Sequence, residues 1–137
     1  MEAFMSKRIL IAGFAALGLM GAVGSVAAQT TPSAFLKAVD KDSDGTVTLD
    51  EVKAYASERF KALETNKDGT LDAKELQGRL SATGFKSANT DADKTLDEAE
   101  FLAYVETLFK QANDNDTTLD AKELGSAAGK KLITLLH

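Results

Sequence analysis

Four segments of this chain carry oxygen-bearing side chains at one recurring spacing. They are DKDSDGTVTLDE (Asp40 to Glu51), ETNKDGTLDAKE (Glu64 to Glu75), NTDADKTLDEAE (Asn89 to Glu100) and ANDNDTTLDAKE (Ala112 to Glu123). A repeat of this kind limits the fold to an array of small helix–loop–helix units, each too small to bury its own apolar face. Like charges crowded at alternate positions repel unless something positive gathers them, so the same spacing also limits the chemistry. Within 29–137, every acidic residue except Asp50, Glu58, Glu98 and Glu106 falls on one of these candidate ligand positions.

The spacing has a coordination rationale. A Ca²⁺-sized ion takes about six to eight oxygens at about 2.3–2.6 Å, supplied in an EF-hand loop by positions 1, 3, 5, 7, 9 and 12, with Gly at 6 for the turn. Position 12 gives both oxygens of a Glu, and position 7 gives a backbone carbonyl. The apolar positions agree. Position 8, which faces the core across a short strand, is Val47, Leu71, Leu96 and Leu119; position 13 is Val52, Leu76, Phe101 and Leu124.

Loop one matches the pattern throughout, through Asp40, Asp42, Asp44, Thr46, Thr48 and Glu51, with Thr48 expected to act through water. Loop two offers Glu64, Asn66, Asp68, Thr70, Asp72 and Glu75; Glu64 is one methylene longer than the usual Asp. Loop three offers Asn89, Asp91, Asp93, Thr95, Asp97 and Glu100, but Lys94 stands where Gly is expected. A side chain held at φ > 0 there costs roughly 1–2 kcal/mol.

Loop four is irregular. Counting back from Glu123 puts Ala112, which has no ligand oxygen, at position 1. Phe60 and Phe85 each stand four residues before position 1 of their loops, whereas Phe109 stands four before Asn113. A one-residue deletion reconciles the two counts, giving a loop that begins at Asn113 and continues through Asp114, Asp116, Thr118, Asp120 and Glu123, with Thr117 in place of Gly. The expectation is a vestigial or weak site, and roughly two to three ions per chain, either Ca²⁺ or a trivalent lanthanide.

The linkers of 12, 13 and 11 residues leave room for one helix each. The expected fold is therefore all-α, a compact four-EF-hand array with single short helices between loops. Val52, Ala56, Phe60 and Leu63 share one helical face in the first linker, as do Phe101, Val105, Leu108 and Phe109 in the third. Gly78 and Gly84 interrupt the second, where Ser81 can cap a new short helix. Thr31-Pro32 is a good helix start, and a last helix spans 124–136, weakened by Gly125 and Gly129.

Residues 1–28 read as an address. Lys7 and Arg8 precede an apolar run from Ile9 to Val23 and a small-residue stretch ending at Ala28, the signature of a cleaved secretory signal peptide. Met5 is a competing start. An uncleaved anchor is the alternative, but the run falls short of the roughly 20 apolar residues that span a bilayer. The expected location is the periplasm, with a metal-binding domain over 29–137 and no membrane attachment after cleavage.

Loops at these spacings with one intervening helix resemble the lanmodulins, periplasmic lanthanide-binding EF-hand proteins of methylotrophic bacteria. The resemblance includes the K-D-G-T-L-D-A-K-E-L-x-G-R run from Lys67 to Arg79, the F-K-x-A-N stretch from Phe109 to Asn113 and the tail after Leu124. Their Asp at position 9 is matched by Asp72, Asp97 and Asp120 but not by Thr48. Their Pro at position 2 is replaced by Lys41, Thr65 and Thr90, and in loop four it is the deleted residue. The resemblance implies lanthanide binding.

Composition removes other functions. With no Cys, and His137 as its single His, the chain lacks thiol chemistry, Cys/His zinc sites and most nucleophile–base pairs, so it is read as a non-enzyme. A net charge of −5 disfavours nucleic acid. A calcium-dependent sensor that grips target helices is the alternative function. Such grooves are Met-rich, and all three Met residues (Met1, Met5, Met20) lie in the leader, so Phe35, Phe60, Phe85, Phe101 and Phe109 are read as core. The partners expected are metal ions, with any protein partner unknown and the chain a monomer.

Overall fold

The structure is a computed structural model that describes residues 30–137 apart from Asn115; the leader read over 1–28 lies outside the described residues. The elements run α1 (Pro32–Val39), β1 (Val47–Thr48), α2 (Leu49–Leu63), β2 (Thr70–Leu71), α3 (Ala73–Leu76), α4 (Ala82–Ala88), β3 (Leu96–Asp97), α5 (Glu98–Ala112), β4 (Thr118–Leu119), α6 (Ala121–Leu124) and α7 (Ala127–Leu136). The class is all-α, as the repeat implied.

Local chemistry sets these boundaries. Thr31 caps α1 by accepting from the Ala34 N–H at 3.1 Å, with Pro32 opening the helix. The long helices α2 and α5 carry the expected apolar faces: Val52, Ala56, Phe60 and Leu63 on one, Phe101, Val105, Leu108 and Phe109 on the other, all buried. The position 8 residues Val47, Leu71, Leu96 and Leu119 are fully buried, and position 13 is equally enclosed.

The second linker holds two short helices, as the Gly78 interruption and the Ser81 cap implied: the chain turns at Gln77 (φ 25°) and Gly78 (φ 77°), while Gly84 lies inside α4 and does not interrupt it. One expectation about helices needs correction: the tail is two helices, not one. Identical Ala-Lys-Glu-Leu turns form α3 and α6, and the second stops at Gly125, after which Ser126 caps α7 by accepting from Gly129 N–H at 3.1 Å. Single long helices therefore follow loops one and three only. Phe85 is a partial exception to the core reading, half-buried at the edge of the cluster.

Helix α5 is the hub, packed against α2, α4 and α7. It runs antiparallel to α2: Lys53 Nζ donates to Glu106 Oε2 at 2.6 Å, Ser57 bonds Glu98, and Phe60 stacks at a tilt on Phe101 with centroids 5.5 Å apart. A 15-residue helix is about 22 Å long, so the loops at its two ends cannot pair with each other. Antiparallel packing instead brings loop one beside loop four and loop two beside loop three. The short strands record this: Val47 opposes Leu119 and Thr48 opposes Thr118, while Thr70 opposes Asp97 and Leu71 opposes Leu96. No helix of the described residues is long and apolar enough to cross a membrane.

Candidate metal centres

Each loop starts where a helix ends. The position 1 residues Asp40, Glu64 and Asn89 cap α1, α2 and α4, their N–H groups donating to the carbonyls of Leu36, Phe60 and Phe85 at 2.7, 3.0 and 2.8 Å. In loop four the same bond, to Phe109 at 3.0 Å, is made by Asn113, while Ala112 is the last residue of α5. Asn113 thus holds position 1 and the loop is one residue short, as the phenylalanine spacing implied.

Each loop ends in a helix capped by its own ligands. Thr48, Asp72, Asp97 and Asp120 at position 9 accept from the N–H of the position 12 Glu at 3.2, 2.9, 2.8 and 2.9 Å. Glu51, Glu75, Glu100 and Glu123 reach back so that Oε2 accepts from the position 9 N–H at 2.9 to 3.2 Å. Each Oε1 bridges to the loop start, accepting from Lys41, Thr65, Thr90 and Asp114 N–H at 2.9, 2.9, 2.7 and 3.0 Å. A carboxylate oxygen has two lone pairs; Oε1 of Glu51 and Glu123 accepts that single bond, whereas Oε1 of Glu75 and Glu100 also accepts from the Thr65 and Thr90 hydroxyls and from Asn66 and Asp91 N–H, so each glutamate is aimed across its loop. Glu100 is the one charged side chain that is buried among the described residues.

Inside the loops the carboxylates at position 5 are fixed alike. Asp44, Asp68, Asp93 and Asp116 accept from the N–H of Thr46, Thr70, Thr95 and Thr118 at 2.8 to 2.9 Å and also from their hydroxyls. At position 3, Asp42, Asn66 and Asp91 accept from the N–H two residues on. Glu64 takes the position 1 role despite its length, since it accepts from Gly69 N–H as Asp40 Oδ2 does from Gly45 N–H.

Loop one is the tightest constellation. Ligand oxygens of Asp40, Asp42 and Asp44 lie within 4.8 Å of one another, the one cluster of three acids so placed among the described residues. The crowding has an electrostatic signature. The Asp42 carboxyl is pushed up, chiefly because it shares a hydrogen bond with Asp40, then by desolvation and by the charges of Asp44 and Glu51. Asp40 is held below the ordinary range: desolvation pushes it up, but is outweighed by the Gly45 N–H, Asp42 and the Ser43 and Asp44 N–H groups. Glu51 is lowered by the N–H groups of Thr48 and Lys41. A cation placed here would relieve that repulsion.

The turns separate the loops. Positions 4 and 6 have positive φ in loop one (Ser43 60°, Gly45 88°), loop two (Lys67 60°, Gly69 84°) and loop three (Ala92 62°, Lys94 74°). Lys94 is held in the left-handed region, as its place in the motif required. Among the described residues of loop four none has positive φ. There the Asn113 Oδ1 accepts from Asp116 N–H at 3.0 Å and its Nδ2 donates to the Thr118 carbonyl at 3.0 Å. Sequence reasoning missed that contact, which only the folded loop creates.

Residues 33–54 and 58–81, which contain loops one and two, match the EF hand family model. The chain is 34% identical over 94 residues to the mitochondrial adenyl nucleotide antiporter SLC25A24 of Danio rerio, covering 61% of this chain and 20% of that protein. It is 33% identical over 75 residues to S-modulin of Aquarana catesbeiana, covering 47% of this chain and 37% of the relative. The chain thus spans well under half the length of either relative. These matches show EF-hand units over loops one and two, and loops three and four are capped in the same design and carry the same calcium-binding ligand pattern.

Proposed function

We propose that this protein is an exported, periplasmic EF-hand metal binder that takes up Ca²⁺ or trivalent lanthanide ions and completes its fold around them. The observation that carries the reading is the convergence of Asp40, Asp42 and Asp44 under the Glu51 carboxylate. Four carboxylates per loop place a formal −4 around each ion, more than a divalent cation neutralises. A trivalent ion of similar radius gains more Coulomb energy from the same oxygens. The export reading rests on the leader pattern of residues 1–28, and the folding reading on helices too short to persist alone in water. Ions that bind only the folded chain stabilise it by mass action.

The test is a titration followed by far-UV circular dichroism, comparing the concentrations of Ca²⁺ and La³⁺ at half-maximal folding. A gap of many decades, with no folding at millimolar Ca²⁺, establishes a lanthanide protein. A gap of about tenfold, about 1.4 kcal/mol, establishes ordinary charge preference and a calcium protein. A chain that melts cooperatively in excess chelator, unmoved by either ion, ends the reading.

A further inference from the structure

We propose that the fourth loop is not a metal site but a loop closed by its own asparagine, with the Asn113 carboxamide standing where a cation would stand and holding the strand that loop one needs as a partner. This inference rests on the metal-binding reading of loop one.

The position 7 carbonyl is an EF-hand ligand. In loop four that carbonyl belongs to Thr118, and it accepts from Asn113 Nδ2 at 3.0 Å. The partial positive charge of an amide N–H thus faces the oxygen that a cation would face in the other loops. The amide orientation is fixed from both sides. Asn113 Oδ1 must face the Asp116 N–H, a donor, and Nδ2 must face the Thr118 carbonyl, an acceptor. A flipped amide would lose both bonds.

Loop three supplies an internal control. Asn89 is also an asparagine at position 1, and its Oδ1 accepts from Ala92 N–H at 2.7 Å. No bond from its amide to the Thr95 carbonyl accompanies this among the described contacts, and the loop keeps its positive φ at positions 4 and 6. Residue type alone therefore does not close a loop. The missing residue in loop four does, because eleven positions from Asn113 to Glu123 draw the asparagine onto the position 7 carbonyl.

The consequence falls on loop one. Thr118 is the residue whose carbonyl is held, and it is paired with Thr48, while Val47 is paired with Leu119. Asn113 is thus a positioning residue for a metal site to which it contributes no ligand. Loop four thus presents β4 without an ion.

The test uses the full chain and Ca²⁺ as the only probe, with amide NMR signals of Gly45 and Gly69 reporting loops one and two. Asn113→Asp keeps the oxygen for Asp116 and removes the donor to Thr118. It is expected to raise the Ca²⁺ concentration that half-saturates Gly45 by roughly two- to tenfold, the worth of one hydrogen bond, with Gly69 moved less. Asn113→Leu is expected to shift Gly45 in the same direction by at least as much. Glu123→Gln is expected to leave the number of bound Ca²⁺ ions unchanged by calorimetry. Loss of one ion in Glu123→Gln, or a Gly45 midpoint unmoved in Asn113→Asp, overturns the proposal. Absence of any Ca²⁺ signal at Gly45 in the parent chain would instead remove the function reading on which it rests.

Discussion

Val47 and Leu119 face each other across the antiparallel pair of β1 and β4, both fully buried, so the first metal loop is tied to the last. The loop two–loop three pair is nested inside this one, and α5 supports both, since it leaves loop three and enters loop four. Each loop therefore adjoins one end of a single helix pair, α2 and α5.

Loop one should dominate affinity, because it alone combines Asp at position 1, Gly at position 6 and three converging aspartates. Glu51→Gln removes the negative charge of the bidentate pair and turns one accepting oxygen into a donor that faces a backbone N–H. The tightest observed Ca²⁺ site should weaken by about tenfold or more, about 1.4 kcal/mol, in calorimetric titration. Greater damage from Glu123→Gln would reverse the ranking.

Lys94 sits at φ 74° beside a carboxylate shell. Lys94→Gly should relieve about 1 kcal/mol of backbone strain, partly offset by the extra freedom of glycine in the unfolded chain, and it removes a positive charge from the site. The midpoint for ion binding at loop three should fall by roughly threefold or more, read by NMR at the Thr95 amide. An unchanged or higher midpoint would show that neither strain nor charge limits this loop.

Ion uptake by loop one should depend on pH through the Asp40–Asp42 contact. Asp42 is raised above its ordinary value by the hydrogen bond it shares with Asp40. A proton bound there competes with the cation, so affinity should rise with pH through that titration and level off above it. Asp42→Asn should flatten the dependence while lowering affinity. Calcium titrations between about pH 3 and pH 7 would check this, since ordinary carboxylates titrate near pH 4.

Glu106 joins α2 to α5 by accepting from Lys53 at 2.6 Å and from Lys110 at 2.7 Å. These partners lower its pKa from 4.5 to about 2. A depressed carboxylate stabilises the fold above its unfolded value and loses that contribution as pH falls through the folded one, so the window runs from about 4.5 down to about 2. Both groups of the pair reach solvent, so the effect should be small. Glu106→Gln should slightly lower the melting temperature of the ion-loaded chain at neutral pH, and the difference from the parent should vanish toward pH 2. A difference that persists undiminished at that pH would assign the loss to packing instead.

The repeat by itself determined which side chains gather. Position 8 and position 13 were legible as core because an alternation of inward oxygens and one apolar residue leaves no other use for Val47, Leu71, Leu96 and Leu119, and all four are fully buried. The deletion in loop four was legible from the distance between Phe109 and Asn113, since a helix end fixes where its loop starts. The pairing of the loops was decided by tertiary structure: a 15-residue helix holds loops one and two at opposite ends, and antiparallel packing of α2 on α5 then selects the partners. The break at Gly125 was settled the same way. A Cβ at Gly129 would meet the Leu124 backbone at 2.5 Å, so α7 folds back against α6 at a closeness no spacing in the sequence records.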